Sequence, residues 1–240
     1  MQARVGTSGF AYDFWKGSFY PEELDDAHML AFYSRSFTTV EVNNTFYRMP
    51  KRDVMERWAK TVPANFRFTI KASRRITHVA KLRDCQDSVD YLYRQLEPLG
   101  PKLGAVLFQC PPSLEIDLAR LQAFVGMLPE GARAAIEFRH PSWFEDDVFA
   151  CLREAGVAMC IGDYDAEEDA PLPTGETPFV PTAPWGYVRL RDSGYDDAAL
   201  EQWARRIGDA WTESFVFFKH EQSAPELVER LVAVFEAMPG

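Results

Sequence analysis

Phe66-Arg67-Phe68-Thr69-Ile70-Lys71 is the stretch on which the fold turns. Successive residues of a strand point to opposite faces. Phe66, Phe68 and Ile70 therefore share a wholly apolar face, and Thr69 and Lys71 share the other. The apolar face calls for helices packed against it, and the other face ends in a charge. Seven further short strand-like runs lie near 3–8, 38–43, 104–109, 133–138, 157–162, 186–191 and 215–219. Val40 and Val42 oppose Thr39, Glu41 and Asn43. Val106 and Phe108 oppose Leu107 and Gln109. Ile136 and Phe138 oppose Glu137 and Arg139. Val188 and Leu190 oppose Tyr187, Arg189 and Arg191, and Val216 and Phe218 oppose Phe217 and Lys219. In the sixth run Asp163 falls in step with Met159 and Ile161 and is read as a further strand-end polar group.

Helical periodicity fills the gaps. Leu200, Trp203, Ala204, Ile207 and Trp211 recur at three- and four-residue spacing, as do Leu227, Val228, Leu231, Val234 and Phe235. Ser142 with Glu145, and Ser223 with Glu226, carry the capping-box pattern of a helix start. Pro225 suits a first turn, and Gly156 suits the end of a helix over 145–154. Strands alternating with helices imply a parallel sheet. No Gly-rich phosphate loop follows the first strand, which favours a closed barrel over a doubly wound sheet. The expectation is an α/β barrel of eight parallel strands, or seven if the sixth unit fails. That unit is the weakest, because 164–185 is rich in Pro, Asp and Glu and reads as an irregular loop. No linker or repeat interrupts the chain, so 1–240 is read as a single α/β-barrel domain, an ordinary size for that fold.

Of the 240 residues 47% are hydrophobic, enough for a large core without a disulfide or metal staple. The net charge of -10 argues against a general polyanion binder. Nucleic acid as a partner is disfavoured on that ground, unless a local basic patch serves it. Cys85, Cys110, Cys151 and Cys160 form no C-x-x-C pair and read as reduced structural thiols. The N-terminus lacks the apolar region of a signal peptide, and no run approaches membrane-spanning length. A cytoplasmic protein with no membrane partner is expected.

Barrel enzymes build their sites at the C-terminal ends of the strands, where the polar residues of the alternation gather. Lys71 lies among apolar neighbours, where burial lowers a lysine toward use as a base or Schiff-base amine. Glu41 and Glu137 are candidates for a paired acid and base, or for the counterions of Lys71 and Arg139. His78, His140 and His220 follow strand ends three, five and eight. With Glu41, Glu137 and Asp163 they could compose a metal site. No H-x-x-x-H spacing supports one, and Lys71, Arg189 and Lys219 would repel a cation, so no metal and no other cofactor is expected. The loop 71–83 carries Lys71, Arg74, Arg75, Lys81 and Arg83 without an acid. Arg139, His140, Arg189, Arg191, Lys219 and His220 would join it, giving a basic mouth suited to an anion. Alternatively Arg74 and Arg75 pair with Asp165, Glu167, Glu168 and Asp169 of the sixth loop. The loop after the first strand holds six aromatics between Phe10 and Tyr20. They could stack on a base or sugar ring, or form the packed underside of a lid.

The stretches GTSGFAYDFWKGSFYPEEL, VEVNNTFYRMP, FRFTIKASRRITH, KLGAVLFQCPP, EFRHPSWF and YVRLR, from Gly6 to Arg191, resemble the YecE-like family, also called domain of unknown function 72. The resemblance implies a (β/α) barrel of the triosephosphate-isomerase (TIM) type and carries no activity with it. The polar positions that fit its motifs are Glu41, Asn43, Thr45, Tyr47, Lys71, His78, Gln109, Glu137, Arg139, His140 and Trp143. The match weakens at Arg191-Asp192, where many members have His-Gly, and at Lys219-His220-Glu221, where many have an Asn-containing segment. The functional expectation is an enzyme acting on a small anionic molecule, a sugar phosphate or nucleotide, by metal-free acid–base chemistry. Lys71, Glu41 and Glu137 would be catalytic. Asn43, Thr45, Tyr47, His78, Gln109, Arg139, His140, Trp143, Asp163, Arg189 and Lys219 would bind substrate. A nucleic-acid-processing barrel and a catalytically silent scaffold are the alternatives.

Overall fold

The structure is a computed structural model that describes residues 1–163, 176–192, 194–219 and 222–238. Eight strands appear where the alternation places them. They are β1 (Gln2–Thr7), β2 (Thr39–Val42), β3 (Arg67–Lys71), β4 (Leu103–Gln109), β5 (Ala134–Glu137), β6 (Ala158–Gly162), β7 (Gly186–Leu190) and β8 (Glu213–Phe218). All pair in parallel, in the order β1-β8-β7-β6-β5-β4-β3-β2. The two ends of the sheet meet where Ser8 bridges Glu41 and the Gly9 N–H donates to the Glu41 carbonyl at 2.8 Å. The result is a nearly closed barrel. Gly6 lets the seam come together, since a Cβ there would sit 2.2 Å from the Thr39 carbonyl oxygen.

Around the barrel run α1 (Met29–Ser36), α2 (Arg52–Thr61), α3 (Gln86–Leu96), α4 (Leu118–Val125), α5 (Asp146–Ala155), α6 (Asp197–Ala210) and α7 (Ala224–Ala237). Phe68, Ile70, Val106, Phe108, Ile136, Phe138, Val188, Leu190, Val216 and Phe218 face them and join their apolar sides in one core. The opposite strand faces build a separate interior cluster of Ala105, Leu107, Ala135, Ala158, Cys160, Trp185, Tyr187, Phe215 and Phe217. The barrel is therefore filled from its middle toward its N-terminal end, and polar side chains gather at the C-terminal end.

Helix boundaries differ from expectation at one capping box. Glu145, not Ser142, occupies the N-cap of α5. The Ser142 hydroxyl is already engaged, accepting from the Ile116 N–H at 2.9 Å and lying 2.8 Å from His140 Nδ1. Ser223 does cap α7 by position, but its backbone is already helical and its side chain makes no capping bond. Gly156 closes α5 in the left-handed conformation at φ 66, and Pro225 sits in the first turn of α7. In the sixth unit, residues 176–185 contain no helix, and 164–175 lie outside the described residues. Among the described residues no helix is long and apolar enough to cross a membrane.

Candidate functional site at the C-terminal barrel end

Two buried carboxylates and one buried guanidinium form the centre of the barrel mouth. Arg189, from β7, reaches across the interior between them. Its Nη1 donates to Glu137 Oε2 at 2.6 Å and its Nη2 to Glu41 Oε1 at 2.8 Å. Glu41 also accepts from the Tyr187 hydroxyl at 2.7 Å, the Ser8 hydroxyl at 2.9 Å and Asn43 Nδ2 at 3.1 Å. The Tyr187 oxygen lies 3.1 Å from the Thr69 hydroxyl, which donates to it because the phenol proton is committed to Glu41. Glu137 takes Gln109 Nε2 on both oxygens at 2.9 Å and Arg139 Nε at 2.9 Å, with Arg191 Nη2 at 3.6 Å. Gly162 keeps the β6 position beside this network clear, since a Cβ there would meet the Arg189 carbonyl oxygen at 2.4 Å.

Burial alone would push both carboxyls up. For Glu41, the Arg189 charge and the Tyr187 hydroxyl outweigh it and hold the carboxyl below its ordinary value. For Glu137, Arg189, Arg191 and Arg139 together hold it well below. Both are therefore ionised at neutral pH. The acid-and-base pairing expected of them does not fit this geometry, because neither holds a proton to give. The counterion role does fit, with Arg189 as the shared partner in place of Lys71. A pH dependence follows. The folded pKa values are depressed, so the unfolded chain takes up protons first as pH falls. The stability from these groups is complete above the unfolded value of about 4.3 and drains as pH drops through it toward the lower folded values. The melting temperature should fall on acidification through that range. Glu137→Gln should be less stable at neutral pH and show a shallower acid limb. A wild-type melting temperature that holds steady to about pH 3 would contradict this account.

Lys71 stands apart from the network. Its Nζ lies 4.4 Å over the Phe46 ring, and among the described residues no carboxylate comes within ion-pair distance. Burial and the nearby Arg189 and Arg191 push its amine down to about 8, with Glu137 and Glu41 opposing. His78 meets the same Phe46 ring edge-on at 4.9 Å between centroids. Burial, Lys71 and Arg139 lower its pKa, and its Nδ1 lies 2.9 Å from the Thr77 hydroxyl.

The other expected site residues divide. Asn43, Gln109, Arg139 and Arg189 join the network described above. Thr45 is fully buried, and its hydroxyl donates to the Val42 and Lys71 carbonyls, tying the ends of β2 and β3 together. Trp143 is fully buried, stacked on Phe138 at 4.5 Å with its Nε1 donating to the Leu114 carbonyl at 2.6 Å. Neither side chain has surface to offer a ligand, which corrects the expectation that they bind substrate. Asp163 keeps the helix-facing parity of Met159 and Ile161 and turns away from the ring. It accepts from the Tyr195 hydroxyl on both oxygens, at 2.7 and 2.6 Å, and from the Arg191 N–H at 2.7 Å. Its expected place among the strand-end polar groups of the ring is thereby corrected. His140 turns Nδ1 to Ser142 within its own turn. Tyr47 is 75% exposed and lines a cleft of about 450 Å³ with Arg48, Met49, Ser73, Arg75 and Tyr91 beside the mouth. Lys219 is half-buried, its backbone N–H donating to the Leu190 carbonyl at 2.9 Å. His220 and the sixth-loop acids Asp165, Glu167, Glu168 and Asp169 lie outside the described residues. Among the described residues no three His, Cys, Asp or Glu side chains converge as metal ligands.

Two members of the network, Ser8 and Tyr187, were not among the expected site residues. Ser8 follows β1 on the alternation of Arg4 and Gly6, which face Phe215 and Phe217 across the β1–β8 pair. Tyr187 shares the face of Arg189. Parity could have found both. The aromatic loop after β1 packs inward. Trp15 and Tyr20 are buried, Phe19 stacks on Phe37 at 5.2 Å, and the Tyr20 hydroxyl donates to the Phe10 carbonyl. Phe14 alone of the six is more than a third exposed.

Comparison with known proteins agrees with this architecture. A family model described as "Protein of unknown function DUF72" matches residues 4–239. The UPF0759 protein YecE of Escherichia coli K12 is 36% identical over 137 residues, covering 55% of this chain and 50% of that protein. The UPF0759 protein YunF of Bacillus subtilis is 30% identical over 173 residues, covering 65% of this chain and 60% of that one. The alignments thus span about half to three-fifths of these relatives. The crystal structure of a DUF72 family protein from Thermotoga maritima superimposes with a TM-score of 0.80 at 26% identity, covering 98% of each chain. A family model that matches nearly the whole chain, and a shared barrel, place this protein in the DUF72 family, whose function is unknown.

Proposed function

We propose that the barrel mouth binds a small molecule bearing a phosphate or comparable anionic group and acts on it by acid–base chemistry centred on Lys71. The placement of Lys71 carries this reading. Its Nζ lies over the Phe46 ring, among the described residues no carboxylate comes within ion-pair distance of it, and it stands beside the buried network in which Arg139, Arg189 and Arg191 contact Glu41 and Glu137. Glu41 and Glu137 act as fixed struts that hold the guanidiniums in place. Proton transfer then falls to Lys71, the cation whose pKa lies nearest neutrality in this group. Arg74 and Arg75 are exposed on the loop beyond β3 and extend the positive field outward. The aromatic loop that would have favoured a nucleic-acid partner is taken up by packing.

Calorimetry and thermal shift with inorganic phosphate, sugar phosphates and nucleotides test the reading. Lys71→Met and Arg139→Met should each weaken binding about ten- to a hundredfold, the worth of one charge-assisted contact. Methionine keeps much of the stem packing while removing the charge. Arg205→Ala, on the exposed face of α6, should bind as wild type does. If no phosphorylated compound binds wild type, or if the two mouth variants bind equally well, the reading fails. Binding confined to long single-stranded nucleic acid, with steep salt dependence, would replace it.

A further inference from the structure

We infer that Lys71 is an amine nucleophile and that the anion taken by the mouth carries an aldehyde or ketone which Nζ attacks. The inference rests on the anion-binding reading above and adds to it the class of substrate and the bond that forms.

The argument begins with what Lys71 lacks. A lysine kept for structure is normally paired with a carboxylate or extended into solvent. Lys71 is half-buried, and the two described carboxylates that act on its charge, Glu137 and Glu41, are already engaged by Arg189, Arg139, Tyr187, Ser8 and Gln109. Among the described residues its close contact is an aromatic face, that of Phe46, at 4.4 Å. A ring face holds an ammonium less firmly than a carboxylate does, so it leaves the amine accessible to deprotonation. The groups that face it are Arg189 and Arg191 from β7, Glu137 from β5 and Glu41 from β2. Burial and the two arginines prevail, and the amine carries a sizeable neutral fraction near neutral pH, where an ordinary lysine has almost none.

The backbone under Lys71 is also held still. The Thr45 hydroxyl donates to the Lys71 carbonyl at 2.7 Å, and the Ala72 N–H donates to Leu107 at 2.8 Å. His78 shares the Phe46 ring with Lys71 and is kept neutral by burial and by Lys71 and Arg139. A neutral imidazole beside an attacking amine can relay protons.

The step balances without a further reactant. The Nζ lone pair forms a bond to the carbonyl carbon as the carbonyl π pair moves to oxygen. A proton passes from nitrogen to that oxygen, giving a carbinolamine. Protonation of its hydroxyl, loss of water and loss of the remaining N–H proton leave the imine. Carbonyl and amine thus become imine and water, with no net oxidation.

Pyridoxal 5′-phosphate, an aldehyde with a phosphate, is a direct probe, and pyridoxal is the same aldehyde without it. The full chain is treated with each, reduced with sodium borohydride and mapped by peptide mass spectrometry. The chain has seven lysines. Lys71 should be labelled at least about tenfold faster than any other, and about tenfold faster by the phosphorylated probe than by pyridoxal, the low end for one charge-assisted contact. Its labelling rate should rise through about pH 8. Inorganic phosphate should compete, and Arg139→Met should lose the preference for the phosphorylated probe. Lys71→Arg keeps a cation but removes the primary amine, and it should give no adduct at that position. Label spread evenly over the lysines would overturn the inference. So would phosphate binding by calorimetry with Lys71 unlabelled, an outcome that leaves the anion-binding reading standing. Rapid labelling of Lys71 by both aldehydes alike, with no competition by phosphate, would support the nucleophile and sink the anion-binding reading instead.

Discussion

Arg189→Met should lower stability by about 3–5 kcal/mol, because it strands charges that are out of water on both sides of the barrel interior. Glu41 would keep only neutral donors, from Tyr187, Ser8 and Asn43. Glu137 would retain Arg139 and Arg191, so most of the loss should come through Glu41. For a domain of this size each kcal/mol moves the melting temperature roughly 2–4 °C, so the expected drop is about 6–20 °C. A double-mutant cycle separates the pair from the site. Glu41→Gln in the Arg189→Met background removes the stranded charge, and the double variant should be clearly more stable than the sum of the two single losses implies. Denaturant unfolding of the four proteins measures the coupling. An Arg189→Met variant within about 0.5 kcal/mol of wild type would mean that the guanidinium does not bridge the two carboxylates.

The second large effect belongs to Trp143. Trp143→Ala should cost about 3–5 kcal/mol through the cavity left against Phe138 and under the Leu114 turn. Trp143→Phe keeps most of the ring and removes the indole donor, leaving the buried Leu114 carbonyl without it, for about 1–3 kcal/mol. Phosphate affinity of the Phe variant should stay within about twofold of wild type, a change worth less than half a kcal/mol. If stability is unchanged while affinity collapses, Trp143 touches ligand and the packing account is wrong. The prediction matters because Trp143 sits in the EFRHPSWF stretch, only four residues beyond Arg139. The resemblance to the family's motifs placed it in the site, but the indole turns beneath the mouth and closes the core.

Strand count, helix placement and the polar end of the barrel were all legible in the chain. Alternation at period two is a property of a strand's own residues, and so is the three-to-four spacing of a helix. Both are visible without knowing which element lies next to which. Even the facing of Glu41, Lys71, Gln109, Glu137 and Arg189 into one mouth follows from parity, because every strand enters that mouth at its C-terminal end. Partner choice among those charges was not legible. Arg189 is 148 residues from Glu41 and 52 from Glu137, and it joins them because β7, β2 and β5 bring these side chains together at one end of the barrel. Asp163 looked like a ring member, yet Tyr195, 32 residues on, draws its carboxylate to the helix side. Lys71 looked like the natural partner of the glutamates and is left on the face of Phe46 instead. A buried charge settles on whichever counter-charge and hydrogen-bond donors lie within about 3 Å of it, and those distances exist only once the barrel has closed at the Ser8–Glu41 seam.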